Sequence, residues 1–93
     1  MTRAIWGGIV IAESDKTIVV EGNHYFPPGS VNKEYLVKSQ HTTTCHWKGQ
    51  ADYYDINILG EVNKNAAWTY RDPNPAARAI AGYIAFWKGV RVE

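Results

Sequence analysis

The 93-residue chain has one cysteine, one methionine and three histidines. A lone cysteine excludes an internal disulfide, and without a Cys/His cluster no four-ligand zinc staple is expected. No apolar run approaches the ~20 residues of a membrane span. No run of like charge exists either: ten basic and nine acidic residues are interspersed, for a formal net charge of +1. That balance argues against nucleic-acid partners and anionic membrane surfaces, which call for a basic stripe. The opening Met1-Thr2-Arg3-Ala4-Ile5-Trp6-Gly7-Gly8 lacks the apolar core of a signal peptide. With the unpaired thiol, this predicts a cytoplasmic protein. The length predicts one domain over residues 1–93, a monomer or weak homodimer with a modest core.

Aromatics are abundant: four Trp, six Tyr and two Phe. They stand in blocks beside Gly, Pro and charges, as in Glu21-Gly22-Asn23-His24-Tyr25-Phe26-Pro27-Pro28, Cys45-His46-Trp47-Lys48-Gly49, Trp68-Thr69-Tyr70 and Phe86-Trp87. Such blocks build either a core or a concave site with a few inward polar groups.

The spacing of apolar residues predicts a mainly β domain of small antiparallel sheets with one or two short helices. Residues 9–13 and 17–21 read as two strands paired across Ser14-Asp15-Lys16. A two-residue turn there puts Glu13 on the apolar face with Ile9, Ile11, Ile18 and Val20. Residues 22–30 read as a loop. Ser30 is placed to cap a helix over 31–37, with Glu34 completing a capping box. Residues 39–44 read as a polar connection and 45–58 as a long strand or bent pair, with Tyr54, Ile56 and Ile58 on one face and Tyr53, Asp55 and Asn57 on the other. Leu59-Gly60 turns the chain into a returning strand through Trp68 and Tyr70, interrupted at Asn63-Lys64-Asn65. Asp72-Pro73-Asn74-Pro75 breaks it. A short helix over 76–81 ends at Gly82, and residues 83–87 and 90–92 form a last hairpin around Lys88-Gly89.

Several constellations have a chemical and a structural reading. Cys45 and His46 look like a thiolate and base, but neighbours on a strand point to opposite faces, and a small buried hydrophobe fits Cys45 better. If the strand is unbroken, Cys45, Trp47, Gly49, Ala51 and Tyr53 share one face, where small residues between large ones leave a depression. Either a ligand or another side chain, such as Phe26 or Trp68, fills it. Lys48 joins that face only if the chain bends at Gly49. A buried Glu13 would need a cation such as Lys48 or Arg78. His24, His41 and His46 lack metal-motif spacing. Gly29-Ser30 resembles the start of a nucleotidyltransferase signature, but no Asp-x-Asp follows, and Asp52 and Asp55 fall on opposite strand faces.

The ordered motifs Trp6-Gly7-Gly8, Glu13-Ser14, Val20-Glu21-Gly22-Asn23-His24-Tyr25-Phe26-Pro27, Cys45-His46-Trp47-Lys48-Gly49, Ala51-Asp52-Tyr53-Tyr54, Ala66-Ala67-Trp68-Thr69-Tyr70, Asp72-Pro73 and Ile80-Ala81-Gly82-Tyr83-Ile84-Ala85-Phe86-Trp87 together resemble domain-of-unknown-function family 427. The resemblance spans nearly the whole chain. It implies a β-tent-like arrangement, in which two small antiparallel sheets meet at an angle. Relatives of that fold often hold zinc through two Cys pairs, which a single cysteine cannot supply. Other β-tent domains, such as the ligand domain of cereblon, hold small cyclic ligands in an aromatic cage. The label nucleotidyltransferase-like, sometimes attached to the family, finds no support in these residues.

Two functional classes follow. In the first, the chain is a non-catalytic small-molecule-binding domain whose site comprises Glu21, Tyr25, Cys45, Trp47, Lys48, Tyr53, Trp68 and Tyr70. Trp47, Tyr53, Trp68 and Tyr70 form the apolar wall; Glu21, Lys48 and the Tyr hydroxyls orient an anionic or carbonyl-bearing ligand. In the second, a small enzyme uses Cys45 as nucleophile or Glu21 as general base. A protein-interaction module with an exposed aromatic patch is a third reading. No cofactor is expected in any of them. Elemental analysis of the purified chain should find no stoichiometric zinc; one tightly held zinc per chain would overturn the reading of the cysteine and histidines.

Overall fold

Two-residue turns ending in glycine shape the chain. Gly7-Gly8 joins β1 (Thr2–Trp6) to β2 (Ile9–Ser14), Glu21-Gly22 joins β3 (Ile18–Val20) to β4 (Asn23–Tyr25), and Leu59-Gly60 joins β6 (Gly49–Ile58) to β7 (Glu61–Thr69). Both residues of each turn have positive φ, the type I′ geometry whose twist matches that of the flanking strands. The remaining strands are β5 (Leu36–Cys45), β8 (Ile84–Phe86) and β9 (Arg91–Val92).

The computed structural model describes all 93 residues. Its strands form three antiparallel sheets, ordered β2-β1-β9, β3-β4 and β5-β6-β7-β8. Only 13% of the residues are helical, in the 3₁₀ segments Pro28–Ser30, Lys33–Tyr35 and Pro75–Ile80. The β3–β4 hairpin continues the four-stranded sheet: Phe26 and Ile84 exchange backbone hydrogen bonds of 2.8 and 2.9 Å.

The four-stranded sheet carries a core on each face. Ile56 and Ile58 of β6 and Ile84 and Phe86 of β8 join Ala4, Ile11, Ala12 and Phe26 in the larger core, beneath the β2-β1-β9 sheet. Ala51, Tyr53 and Ala85 point to the other face, where Tyr25, Tyr70, Ala77 and Ile80 cover them. Two bulges at one level separate these regions. Residues 39–41 of β5 stand opposite Tyr53 alone, and residues 64–66 of β7 stand opposite Asp55 alone. Asn65, at φ +56°, ties the bulges together. Its N–H donates to Asp55 Oδ1 at 2.8 Å and its Oδ1 accepts from Ser39 Oγ at 2.6 Å.

Several sequence expectations are overturned. Residues 9–13 and 17–21 do not pair with each other; β2 pairs with β1, and β3 with β4. Gly7-Gly8 and Glu21-Gly22 each offer a tighter I′ turn than Ser14-Asp15-Lys16. Glu13 is exposed, not buried, and is ion-paired with Arg3, its cross-strand neighbour. Residues 31–37 form no α-helix, only the 3₁₀ turn Lys33–Tyr35, which Asn32 rather than Ser30 caps by accepting from the Glu34 N–H. Residues 39–44 are strand, part of β5, whose outer edge is unpaired and therefore tolerates polar residues. Residues 84–86 and 91–92 do not form a hairpin. Lys88-Gly89 turns the chain, but β8 pairs with β7 and β9 with β1.

Leu59 is 99% exposed at φ +52°, where its side chain gains no burial and its backbone is strained. Leu59→Asn, which suits this turn position, should stabilise the chain by about 0.5–1 kcal/mol in urea unfolding. Loss of stability would refute the strain argument.

Candidate functional site

Residues 45–49 are a turn, so the chain takes the bend at Gly49 rather than the unbroken strand that would put Cys45, Trp47, Gly49, Ala51 and Tyr53 on one face. Cys45 pairs with Gly49 across His46-Trp47-Lys48. Gly49 has φ +108°, a conformation that side-chain-bearing residues rarely adopt. The Asp72-Pro73-Asn74-Pro75 break holds this turn in place. The Asn74 N–H donates to the Lys48 carbonyl at 2.9 Å, and Asn74 Nδ2 donates to the His46 carbonyl at 3.4 Å. The turn sends the Lys48 side chain inward, to 7% exposure.

A depression of about 190 Å³ opens on the smaller core face, lined by Asn23, Tyr25, Lys48, Tyr53, Trp68, Tyr70 and Trp87. Its walls are fixed from behind. Trp68 donates from Nε1 to the Tyr25 hydroxyl at 3.2 Å and meets that ring edge-on, with centroids 6.2 Å apart. Trp87 donates from Nε1 to the Asn65 carbonyl at 2.6 Å and meets Trp68 edge-on at 5.9 Å. The Tyr53 hydroxyl shares a hydrogen bond with Thr43, and His41 leans on its ring. Tyr70 follows β7, and its carbonyl accepts the Gly82 N–H at 3.0 Å.

Five of the eight residues proposed from sequence therefore line one depression: Tyr25, Lys48, Tyr53, Trp68 and Tyr70. Trp47 does not line it but remains in contact with Lys48, whose Nζ is 5.2 Å from the Trp47 ring centroid and 5.4 Å from that of Tyr70. Glu21 stands at the rim and forms an ion pair and hydrogen bond with Lys48 Nζ. Cys45 is half-buried against the smaller core, outside the lining. Sequence reasoning missed Asn23 and Trp87. The signal for Asn23 was the Glu21-Gly22 turn, which makes residue 23 the first of a strand. Trp87 stands in the Phe86-Trp87 block, but nothing local assigns it to this face, because its placement depends on the bulge at Asn65.

The Lys48 hydrogen bond holds the Glu21 carboxyl below its ordinary value of 4.5, against a smaller opposing effect of burial. Burial is the largest influence on Lys48 and opposes its charge. The bond to Glu21 and the ionising phenols of Tyr25 and Tyr70 together outweigh it, so its pKa rises above 10.5. Burial raises both Tyr25 and Tyr70 above 10.0. At neutral pH the site thus presents an ammonium, a carboxylate and phenol donors.

No group of three His, Cys, Asp or Glu side chains converges anywhere in the chain. Asp52 pairs with Arg71 at 3.2 Å, while Asp55 binds the Asn65 N–H at the bulge. Ser30 turns its hydroxyl back onto the Pro27 carbonyl. The residues that a nucleotidyltransferase site would use are thus apart and engaged elsewhere.

Fold and site together define a small mainly β domain with one aromatic-walled face. A family model described as Domain of unknown function (DUF427) matches residues 1–93, and the chain belongs to that family. No curated protein matches it.

These shifts set the pH dependence. Groups raised on folding stabilise below their unfolded values and lose that contribution as pH rises through the folded ones; Glu21, lowered on folding, loses its contribution as pH falls. Stability should fall on the alkaline side as Tyr25, Tyr70 and Lys48 release protons. The tyrosinate absorbance lost in Tyr70→Phe should titrate with a midpoint above 10.0, the ordinary tyrosine value. A midpoint at or below that value would contradict the burial argument.

Proposed function

We propose that this domain binds a small planar molecule in the aromatic depression and carries out no reaction on it. One observation carries the reading: a nearly buried ammonium, Lys48, stands among the aromatic walls and lines an open depression. Buried cations are costly in an ordinary core, whereas ligand sites combine apolar walls with a few placed polar groups. Drug-sized pockets span roughly 300–1,000 Å³. This one is smaller, at about 190 Å³, which suits a single ring.

Catalysis is less well supported. Glu21, as a general base, is held in its ionised form by Lys48 and so accepts protons poorly. Cys45 lies outside the lining of the depression. An interaction module calls for a flat exposed patch, and this face is concave.

Titration with phenol and benzamide, followed by two-dimensional amide NMR, tests the reading. Shifts should concentrate on Asn23, Tyr25, Lys48, Tyr70 and Trp87. Trp87 is 45% exposed, so Trp87→Ala should weaken ring binding by on the order of 1 kcal/mol with a small change in Tm. Silence at millimolar probe, or shifts scattered over the whole chain, would leave the aromatic cluster as packing alone.

A further inference from the structure

Glu21 and Lys48 are unequal partners. Lys48 is 6% exposed, whereas the Glu21 side chain is 54% exposed and hangs from the turn that Gly22 completes. None of the residues lining the depression is acidic. The carboxylate on Lys48 therefore comes from outside the lining, from a side chain that water can take back. The lining itself supplies donors. The Tyr25 hydroxyl accepts from Trp68, which leaves its own proton to donate. Tyr70 adds a second phenol, Asn23 an amide, and Lys48 carries two more N–H groups than the one given to Glu21. Around an ammonium, such a set of donors recognises an anion.

We propose that the Glu21 carboxylate stands in for that of the ligand: the site takes one planar ring bearing a carboxylate, which displaces Glu21 from Lys48. This rests on the ligand-binding reading above and names the ligand class. Size agrees, because an apolar cavity of about 150 Å³ accommodates benzene and this depression adds polar room at Lys48. Glu21 acts as an internal competitor. Its bond to Lys48 satisfies the buried charge when the site is empty, and apparent affinity is lowered by the fraction of time that bond is made.

Benzoate and its neutral analogue benzamide test the proposal on the wild-type chain, Glu21→Gln and Lys48→Met, each checked by thermal melting. If Glu21 holds Lys48 about nine-tenths of the time, Glu21→Gln tightens benzoate about tenfold and leaves benzamide within about twofold. Lys48→Met weakens benzoate far more than benzamide. In the wild-type chain, benzoate but not benzamide shifts the amides of Glu21 and Gly22, a readout that survives if a variant fails to fold. Unchanged or weaker benzoate binding in Glu21→Gln overturns the proposal, as do equal shifts at Glu21 with both probes. If benzamide still binds in those cases, the ligand-binding reading stands alone. If neither probe binds wild-type chain or variant, both readings fall.

Discussion

The reciprocal backbone hydrogen bonds between Phe26 and Ile84 are the constraint on which the rest is built. They fasten the β3–β4 hairpin to the free edge of β8. Because successive strand residues face opposite ways, this one junction sends Phe26 into the larger core and Tyr25 into the smaller. Both are fully buried. Phe26 meets Phe86 edge-on, with centroids 5.6 Å apart, while Tyr25 becomes the floor against which Trp68 is hydrogen-bonded. The hairpin then carries Glu21 and Asn23 over the same face of the sheet. Without the junction, one core would lose its aromatic centre and the depression would lose a wall.

The interior of the site is not what stability alone would select. A hydrophobe in the place of Lys48 would avoid desolvating an ammonium, and such replacements of buried ion pairs are commonly neutral or stabilising. Here the pair is lopsided, with the cation inside and the anion in solvent, so the penalty falls mostly on Lys48. The rings of Trp47 and Tyr70 offset part of it. The aromatic walls are locked from behind by Asn65, Thr43 and Tyr25. The arrangement therefore combines hydrogen-bonded walls with one buried charge whose partner is open to solvent, and the proposed ligand site rests on that preorganisation.

What the residues reveal in advance depends on how local their signals are. The facing of Ile56 and Ile58 away from Tyr53, the Leu59-Gly60 turn and the break at Asp72-Pro73-Asn74-Pro75 were legible because alternation and turn chemistry act over a few residues. Strand β5 was not. Its Ser39-Gln40-His41-Thr42-Thr43-Thr44 run is mostly exposed on an open edge and carries no apolar alternation. The partner of β8 was hidden for a different reason: Lys88-Gly89 turns the chain as expected, but tertiary pairing sends the two arms to different sheets. At the site, the aromatic blocks and the returning strand point to Tyr53, Trp68 and Tyr70. Of the two readings of residues 45–58, the bent pair is the one the structure has, and the turn before Gly49 is what brings Lys48 into the lining while Trp47 stays out of it.

Backbone strain does not by itself mark the site. Glu21, Leu59 and Lys88 all precede glycine with φ between +52° and +53°, and Asn or Asp would be easier at each position. Leu59 gains nothing in return, since it is almost wholly exposed. Lys88 gains a contact between its ammonium and the Trp87 ring, at 5.1 Å. Glu21 alone reaches a buried charge. A shorter Asn or Asp there would relieve or keep the turn but sit farther from Lys48, so the turn's own chemistry does not account for a glutamate. What accounts for it is reach: the side chain is long enough to satisfy Lys48 from outside the lining while it stays open to solvent, as the proposed exchange requires.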